Sequence, residues 1–415
     1  MSGRTARESA AGSLASVIAT PGARRVRPIS EAEHARFIAD GHAASFLQTP
    51  AWGRVKTEWR HESLGWFVGG GSDGPDGDDN SGGDERLVGV GLVLYRAIPR
   101  TRRVFAYLPE GPVLDWTSAG NGSDDRGLSG WLDPMIDYLQ ARRAFLVRMG
   151  PPVVTRTWSG PSLKTALADP SVHSLEQLRE DTRSTVGSSI VVQLVAAGWV
   201  PPPSGTGFAG GQPRYVFWLP LTGRTEADVL AGMNQLWRRN IKKAEKTGVT
   251  VTVGSAADLP AFHRVYLETT VRDDFAPRAL SYFQTMYREL SREDPDRITL
   301  YLAHHESDLI AATLAVRVNK HTWYSYGAST TAKRDVRGSN AVQWKMIRDA
   351  ISAGCDVYDL RGITETLDES DAHAGLIRFK LGTGGEAAEY AGEWELPLNR
   401  ALAAAFTAYL RRRSG

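Results

Sequence analysis

One pattern occurs twice in this sequence. Residues 131–150 (WLDPMIDYLQARRAFLVRMG) and 342–362 (VQWKMIRDAISAGCDVYDLRG) each read as an amphipathic helix, a short turn, and a strand ending in a basic residue and Gly. Each follows runs rich in aliphatic and aromatic residues that read as strands: Leu64–Val68, Leu87–Tyr95 and Val104–Leu108 before the first, Ile298–His304, Leu309–Val318 and Thr322–Ala328 before the second. Antiparallel strands, then a helix, then a strand is an α+β layout, here present twice. Duplication and chance similarity explain the echo equally well. At ~150 residues per domain, 415 residues hold two or three units. We expect a disordered tail over 1–27, a first domain over 28–222 and a second over 223–415.

Local signals refine this plan. Ser30-Glu31-Ala32-Glu33 is a capping box, and Thr49-Pro50 is an N-cap followed by proline at the first helical position. The helix opened there carries Trp52, Lys56 and Trp59. Residues 69–84 hold seven Gly and five Asp and predict a solvated hairpin loop. Residues 151–185 have weak periodicity and read as an insertion with one short helix near 174–181. Thr225–Thr247 reads as one long helix stopped by Gly248.

Composition excludes several classes. Apolar residues at 42% and charged residues at 23% are ordinary for a globular protein. One cysteine, Cys355, rules out a disulfide framework and a Cys-based zinc site. No apolar run approaches the ~18 residues of a membrane span. The tail has five Arg but no apolar h-region, so a secretory signal is not expected and a cytoplasmic location is. Lys+Arg at 49 against Asp+Glu at 47 gives a net charge of +2, so an anionic partner must be met by a local patch. Residues 237–246 (WRRNIKKAEK) supply one: Arg238, Lys242 and Lys246 share a helix face, with Arg239 and Lys243 on the adjacent row. A solvated helix face is the plain alternative. The density of like charge favours an anion site, a phosphate or a nucleic-acid backbone.

A series of short motifs then runs in order from about Phe46 to Leu398. They are Gln48-Thr49-Pro50-Ala51-Trp52 with Val55-Lys56, Tyr107-Leu108-Pro109-Glu110-Gly111-Pro112-Val113, Arg238-Arg239-Asn240-Ile241-Lys242-Lys243-Ala244, Arg272-Asp273-Asp274-Phe275, Tyr326-Gly327-Ala328-Ser329, Asp359-Leu360-Arg361-Gly362 and Phe379-Lys380-Leu381-Gly382. Together they resemble the FemABX family of non-ribosomal peptidyltransferases, which build the interpeptide bridges of bacterial peptidoglycan. The resemblance implies two tandem acetyltransferase-like domains with mixed sheets. Only about 40 residues separate Ala257 from Arg297, so the long helical arm of larger members is expected to be absent. The family's usual Arg before Gly-Pro is Glu110 here.

The resemblance also implies a reaction. An aminoacyl-tRNA donates its amino acid to the side-chain amine of the stem peptide of a peptidoglycan precursor, lipid-linked or nucleotide-linked. No cofactor, metal or protein partner is implied, and the acceptor places the chain at or near the inner face of the membrane. Lys56 and Arg239 match positions that bind the precursor's diphosphate. Phe379 and Lys380 match the place where the tRNA acceptor end is held, with Lys380 also a catalytic candidate. Asp115 matches a carboxylate beside the acceptor, able to orient the amine or accept its proton; a turn aspartate capping the next segment is an equal reading. Tyr107, Tyr282 and Tyr326 are candidate hydroxyl donors to substrate, or edge-of-core tyrosines. Two rivals stay open: the same donor used on an antibiotic or other small-molecule amine, and an acetyl-CoA-dependent N-acetyltransferase. The latter needs a pyrophosphate loop at a helix N-terminus. The nearest stretch, Arg334-Asp335-Val336-Arg337-Gly338-Ser339-Asn340, has Arg where the first Gly belongs.

Overall fold

Element boundaries follow the short signals in the sequence. In a computed structural model, residues 24–69, 85–122, 126–202, 211–368, 371 and 374–414 are described. The first elements are β1 (Arg24–Pro28), α1 (Glu31–Ala39), α2 (Pro50–Val55), β2 (Arg60–Val68), β3 (Arg86–Ala97) and β4 (Val104–Leu108). The capping box forms as read: the Ser30 hydroxyl accepts the Glu33 N–H, and Glu33 accepts the Ser30 N–H. Next come α3 (Trp116–Asn121), α4 (Ser129–Ala141), β5 (Ala144–Met149), β6 (Val154–Trp158), α5 (Gly160–Ala168), β7 (Thr182–Arg183), α6 (Thr185–Ala196) and β8 (Tyr215–Pro220). Then follow α7 (Glu226–Gly232), α8 (Gln235–Lys246), β9 (Thr250–Gly254), α9 (Leu259–Arg272), α10 (Leu280–Glu293), β10 (Ile298–His305), β11 (Asp308–Val318) and β12 (His321–Ser329). The chain ends with α11 (Gly338–Ser352), β13 (Val357–Ile363), α12 (Ala374–Leu381), β14 (Glu386–Tyr390), β15 (Trp394–Pro397) and α13 (Arg400–Ser414).

These strands form two mixed sheets of an α+β fold. The first has the order β1-β2-β3-β4-β5-β15, the second β7-β6-β14-β8-β13-β12-β11-β10-β9. The repeated pattern is visible in both. Four antiparallel strands (β1 to β4, β9 to β12) lead through helices to a parallel partner, β5 beside β4 and β13 beside β12. The sheets exchange strands across residue 222. β6, β7 and β8 stand in the second sheet, while β15 returns to pair with β5 in the first. A shared core closes the joint: Phe37, Phe46, Trp52 and Leu92 pack in one cluster with Phe262, Phe283, Leu300 and Trp323. No helix among the described residues exceeds 15 residues, and α9 and α10, of 14 residues each, fill most of the stretch between Ala257 and Arg297.

Three expectations are corrected. Residues 24–27, assigned to the tail, belong to β1, held by pairing with β2 from Arg24↔Val68 to Pro28↔Leu64. The segment 151–185 is part of the second sheet: β6 pairs with β14, and Trp158 is fully buried. Its periodicity is weak because a short strand and a short helix follow each other within one window. The long helix over 225–247 is two helices. Asn234 breaks it, with extended backbone and a side chain that accepts the Trp237 N–H to start α8. Apart from Gly69, the loop over 69–84 lies outside the described residues.

Candidate active site

Two polar assemblies lie where the sheets meet. The first is built on α2 and α10. The Thr49 hydroxyl accepts the Trp52 N–H and Pro50 fixes the first turn, so α2 places buried Trp52 inward and ends at Lys56. The Lys56 ammonium lies 4.9 Å from the Trp52 ring centre and 5.6 Å from that of Tyr282. Arg278, just before α10, places its guanidinium 5.0 Å from the same Tyr282 ring. The Tyr282 and Tyr326 hydroxyls share a hydrogen bond of 3.1 Å. The two helices are pinned together: Arg54 Nε donates to Glu289 at 3.0 Å, and the Ala51 N–H donates to Glu293 at 2.7 Å.

Burial, and then the nearby Arg278 charge, hold the Lys56 ammonium below its ordinary pKa. Two cations thus converge on one tyrosine, and cation–π attraction offsets only part of their repulsion. Neither makes an ion pair among the described residues. An anion placed between them relieves the repulsion and gains charge-assisted hydrogen bonds from both.

The second assembly surrounds a bulge in β13. The register against β8 shifts between Asp359 and Gly362, with Arg361 at φ 65°. Fully buried Asp359 fixes the bulge: one carboxylate oxygen accepts the Arg361 N–H at 2.5 Å, the other lies 3.2 Å from Trp218 Nε1 and 3.3 Å from His321 Nε2. Burial pushes the Asp359 carboxyl up, but His321, Arg361 and the backbone bond together hold it below the usual range. The bulge turns two carbonyls, of Arg361 and Gly362, onto Lys380 Nζ at 3.2 and 2.6 Å. Burial lowers the Lys380 pKa to about 7, against the pull of Asp359. The Arg361 guanidinium crosses to the first sheet, donating to Glu110 at 3.0 Å and to Gln212 at 3.3 Å.

The structure brings Lys56, Tyr282 and Tyr326 together. No hydrogen bond or ring contact among the described residues joins Arg239 to them. Arg239 is exposed on α8, whose apolar face is turned inward, and the cation beside Lys56 is Arg278. The Tyr107 hydroxyl donates to Glu393 at 2.5 Å; burial and that carboxylate push the phenol far up, so its proton is engaged within the protein. Asp115 caps α3 by accepting the Ser118 N–H at 2.9 Å. It lines a cleft with Arg24, Phe37, His42, Arg86 and Trp131 that includes none of Lys56, Tyr107, Tyr282 or Tyr326. Phe379 packs on Trp237, with ring centres 4.8 Å apart. Lys380 is 3% exposed and faces the β13 carbonyls, so it presents no charge to a phosphate outside. Sequence reasoning missed Arg278, whose signal was a cation four residues ahead of a tyrosine at a helix start. It also missed the bulge, although Asp359-Leu360-Arg361-Gly362 stood out as a motif, because an alternating apolar run does not show a register shift.

Known proteins share this architecture. A model of the FemAB family matches residues 29–307 and 299–411. The chain is 28% identical over 271 residues to Aminoacyltransferase FemA of Staphylococcus aureus, in strains MW2 and MRSA252 among others, covering 49% of this chain. The match spans 64% of the length of those relatives. A crystal structure of FemX superposes with a TM-score of 0.71 at 19% identity, covering 92% of this chain and all of that one.

Proposed function

The chain belongs to the FemAB family, and from that premise we propose that it is an aminoacyltransferase. It takes an amino acid from aminoacyl-tRNA and places it on the side-chain amine of the stem peptide of a peptidoglycan precursor. The observation that carries this reading is the convergence of Lys56 and Arg278 on Tyr282. A point charge and a fork of donors suit the diphosphate of such a precursor. The reaction is aminolysis of an ester. The attacking nitrogen forms an amide with the aminoacyl carbon, the bond to the ribose oxygen breaks, and the proton lost by the amine ends on that oxygen. The amine must be neutral, although a free lysine-type amine has a pKa of ~10.4.

Lys56 and Arg278 hold the acceptor's phosphates, and the paired hydroxyls of Tyr282 and Tyr326 border them. Lys380 is a positioning residue: it holds the β13 bulge from which Arg361 reaches Glu110. No helix among the described residues is long and apolar enough to cross a membrane. A lipid-linked acceptor is therefore met at the membrane's inner face, and a nucleotide-linked one in solution.

The test is transfer of a labelled amino acid from charged tRNA to each precursor form, with and without RNase. RNase-sensitive transfer is expected. Transfer from acetyl-CoA that ignores RNase overturns the reading. Lys56→Ala and Arg278→Ala should each raise the acceptor KM at least tenfold, since removing a charge-assisted bond costs ~1.5–3 kcal/mol. Unchanged acceptor kinetics in both variants removes the diphosphate site.

A further inference from the structure

Helix α8 carries a charge pattern that the acceptor site does not use. Its inner face, Trp237, Ile241 and Ala244, is buried. Trp237 Nε1 donates to the Phe379 carbonyl at 2.9 Å, and a Cβ at Gly382 would collide with the Trp237 ring. α8 is thereby clamped to α12, whose Lys380 points at the β13 bulge. The outer face presents Arg239, Lys242, Lys243 and Lys246 to solvent. Arg238 is not among them: its guanidinium donates to the Ala231 and Met233 carbonyls at the end of α7. The turn Arg334–Val336 packs beside α8 and adds exposed Arg334. Nearby carboxylates are Glu245 on the same helix and Asp335, 3.9 Å from Lys243.

Like charges three and four residues apart weaken a helix by a few tenths of a kcal/mol per pair. Here the repelling rows stand on a chain whose net charge is only +2. Lys242 and Lys246 lie one turn apart, about 6 Å along the axis. Flexible point charges in such a row meet phosphates without reading bases. A helix that lies on a membrane needs a broad apolar face. The exposed large apolar residue of α8 is Leu236, at its N-terminal end.

We infer that the outer face of α8 is a rail for the double-stranded acceptor arm of the donor RNA, which it directs toward α12 and the β13 bulge. This rests on aminoacyl-tRNA being the donor, as proposed above. The probe is a fluorescent RNA hairpin ending in a single-stranded CCA. The triple variant Arg239→Ala/Lys242→Ala/Lys246→Ala should bind it at least tenfold more weakly at physiological salt. The slope of log affinity against log salt should become shallower by about 2–3, at ~0.9 for each phosphate no longer neutralised. Lys242→Arg/Lys246→Arg should keep both. The ratio of transfer from full-length aminoacyl-tRNA to transfer from an aminoacylated trinucleotide should also fall at least tenfold in the triple variant. An unchanged salt slope overturns the rail. So does a loss of binding to anionic phospholipid vesicles while hairpin binding persists. If the wild type binds the hairpin through α8 but transfers from neither donor, the rail stands and the proposed function falls.

Discussion

Lys380 is the residue whose chemistry changed most between sequence and structure. Beside Phe379 it reads as a phosphate-binding side chain, yet its amine is enclosed on two carbonyls. Burial sets its pKa at about 7, against 10.5 for the exposed group. Between those values the unfolded chain binds one more proton than the folded one, so this lysine makes stability rise with pH across that window, by up to ~1.4 kcal/mol per pH unit. Lys380→Met abolishes the rise. The Tm of the variant relative to wild type should be most favourable near pH 7 and decline toward pH 10. A difference that stays constant from pH 7 to 10 would mean that the buried amine keeps its charge. Burial of this kind is invisible in sequence, because Phe379-Lys380 alternates like any amphipathic pair. Lys56 and Tyr326 stand in motifs of the sequence and Tyr282 is a candidate hydroxyl donor outside them, and the structure brings the three together. Arg278 was not legible, since its partner Lys56 is more than 200 residues away in the chain.

At the level of elements, the acceptor site depends on one helix pair. Arg54 reaches Glu289 at 3.0 Å and Glu293 at 3.7 Å, both carboxylates nearly buried. Arg54→Met removes one cation from each carboxylate, leaving Arg288 and Arg292 on Glu289 and Arg297 on Glu293, and should cost about 1.5–3 kcal/mol, read as a lower denaturation midpoint with unchanged m-value. Because α2 carries Lys56 and the start of α10 carries Tyr282, acceptor KM should rise as well. A stability loss with unaltered KM would show that the two helices keep their spacing without the ion pair. Strand β4 was legible to the residue, since a short apolar run is bounded by turn residues on both sides. The break at Asn234 was hidden because helical periodicity continues in phase through 226–246. β6 was hidden because its partner, β14, lies more than 200 residues further on.

For the whole molecule, the exchange of strands makes the halves interdependent. A cut at residue 222 deprives the second sheet of β6, β7 and β8, and the first of β15. Residues 24–222 and 223–414 expressed apart should each be insoluble, and co-expression should restore a soluble complex. The intact chain should melt in one calorimetric transition. Two separate transitions, or a soluble first half with native-like near-UV circular dichroism, would contradict this dependence. The return of β15 also sets a schedule during synthesis. Met149 of β5 leaves the ribosome well before its partner Trp394, a separation of 394 − 149 = 245 residues. At ~5–20 residues per second, that is about 12–49 s. For that interval one edge of β5, an almost wholly apolar strand, has no neighbour, and a nascent chain of this protein is exposed there to pairing with another.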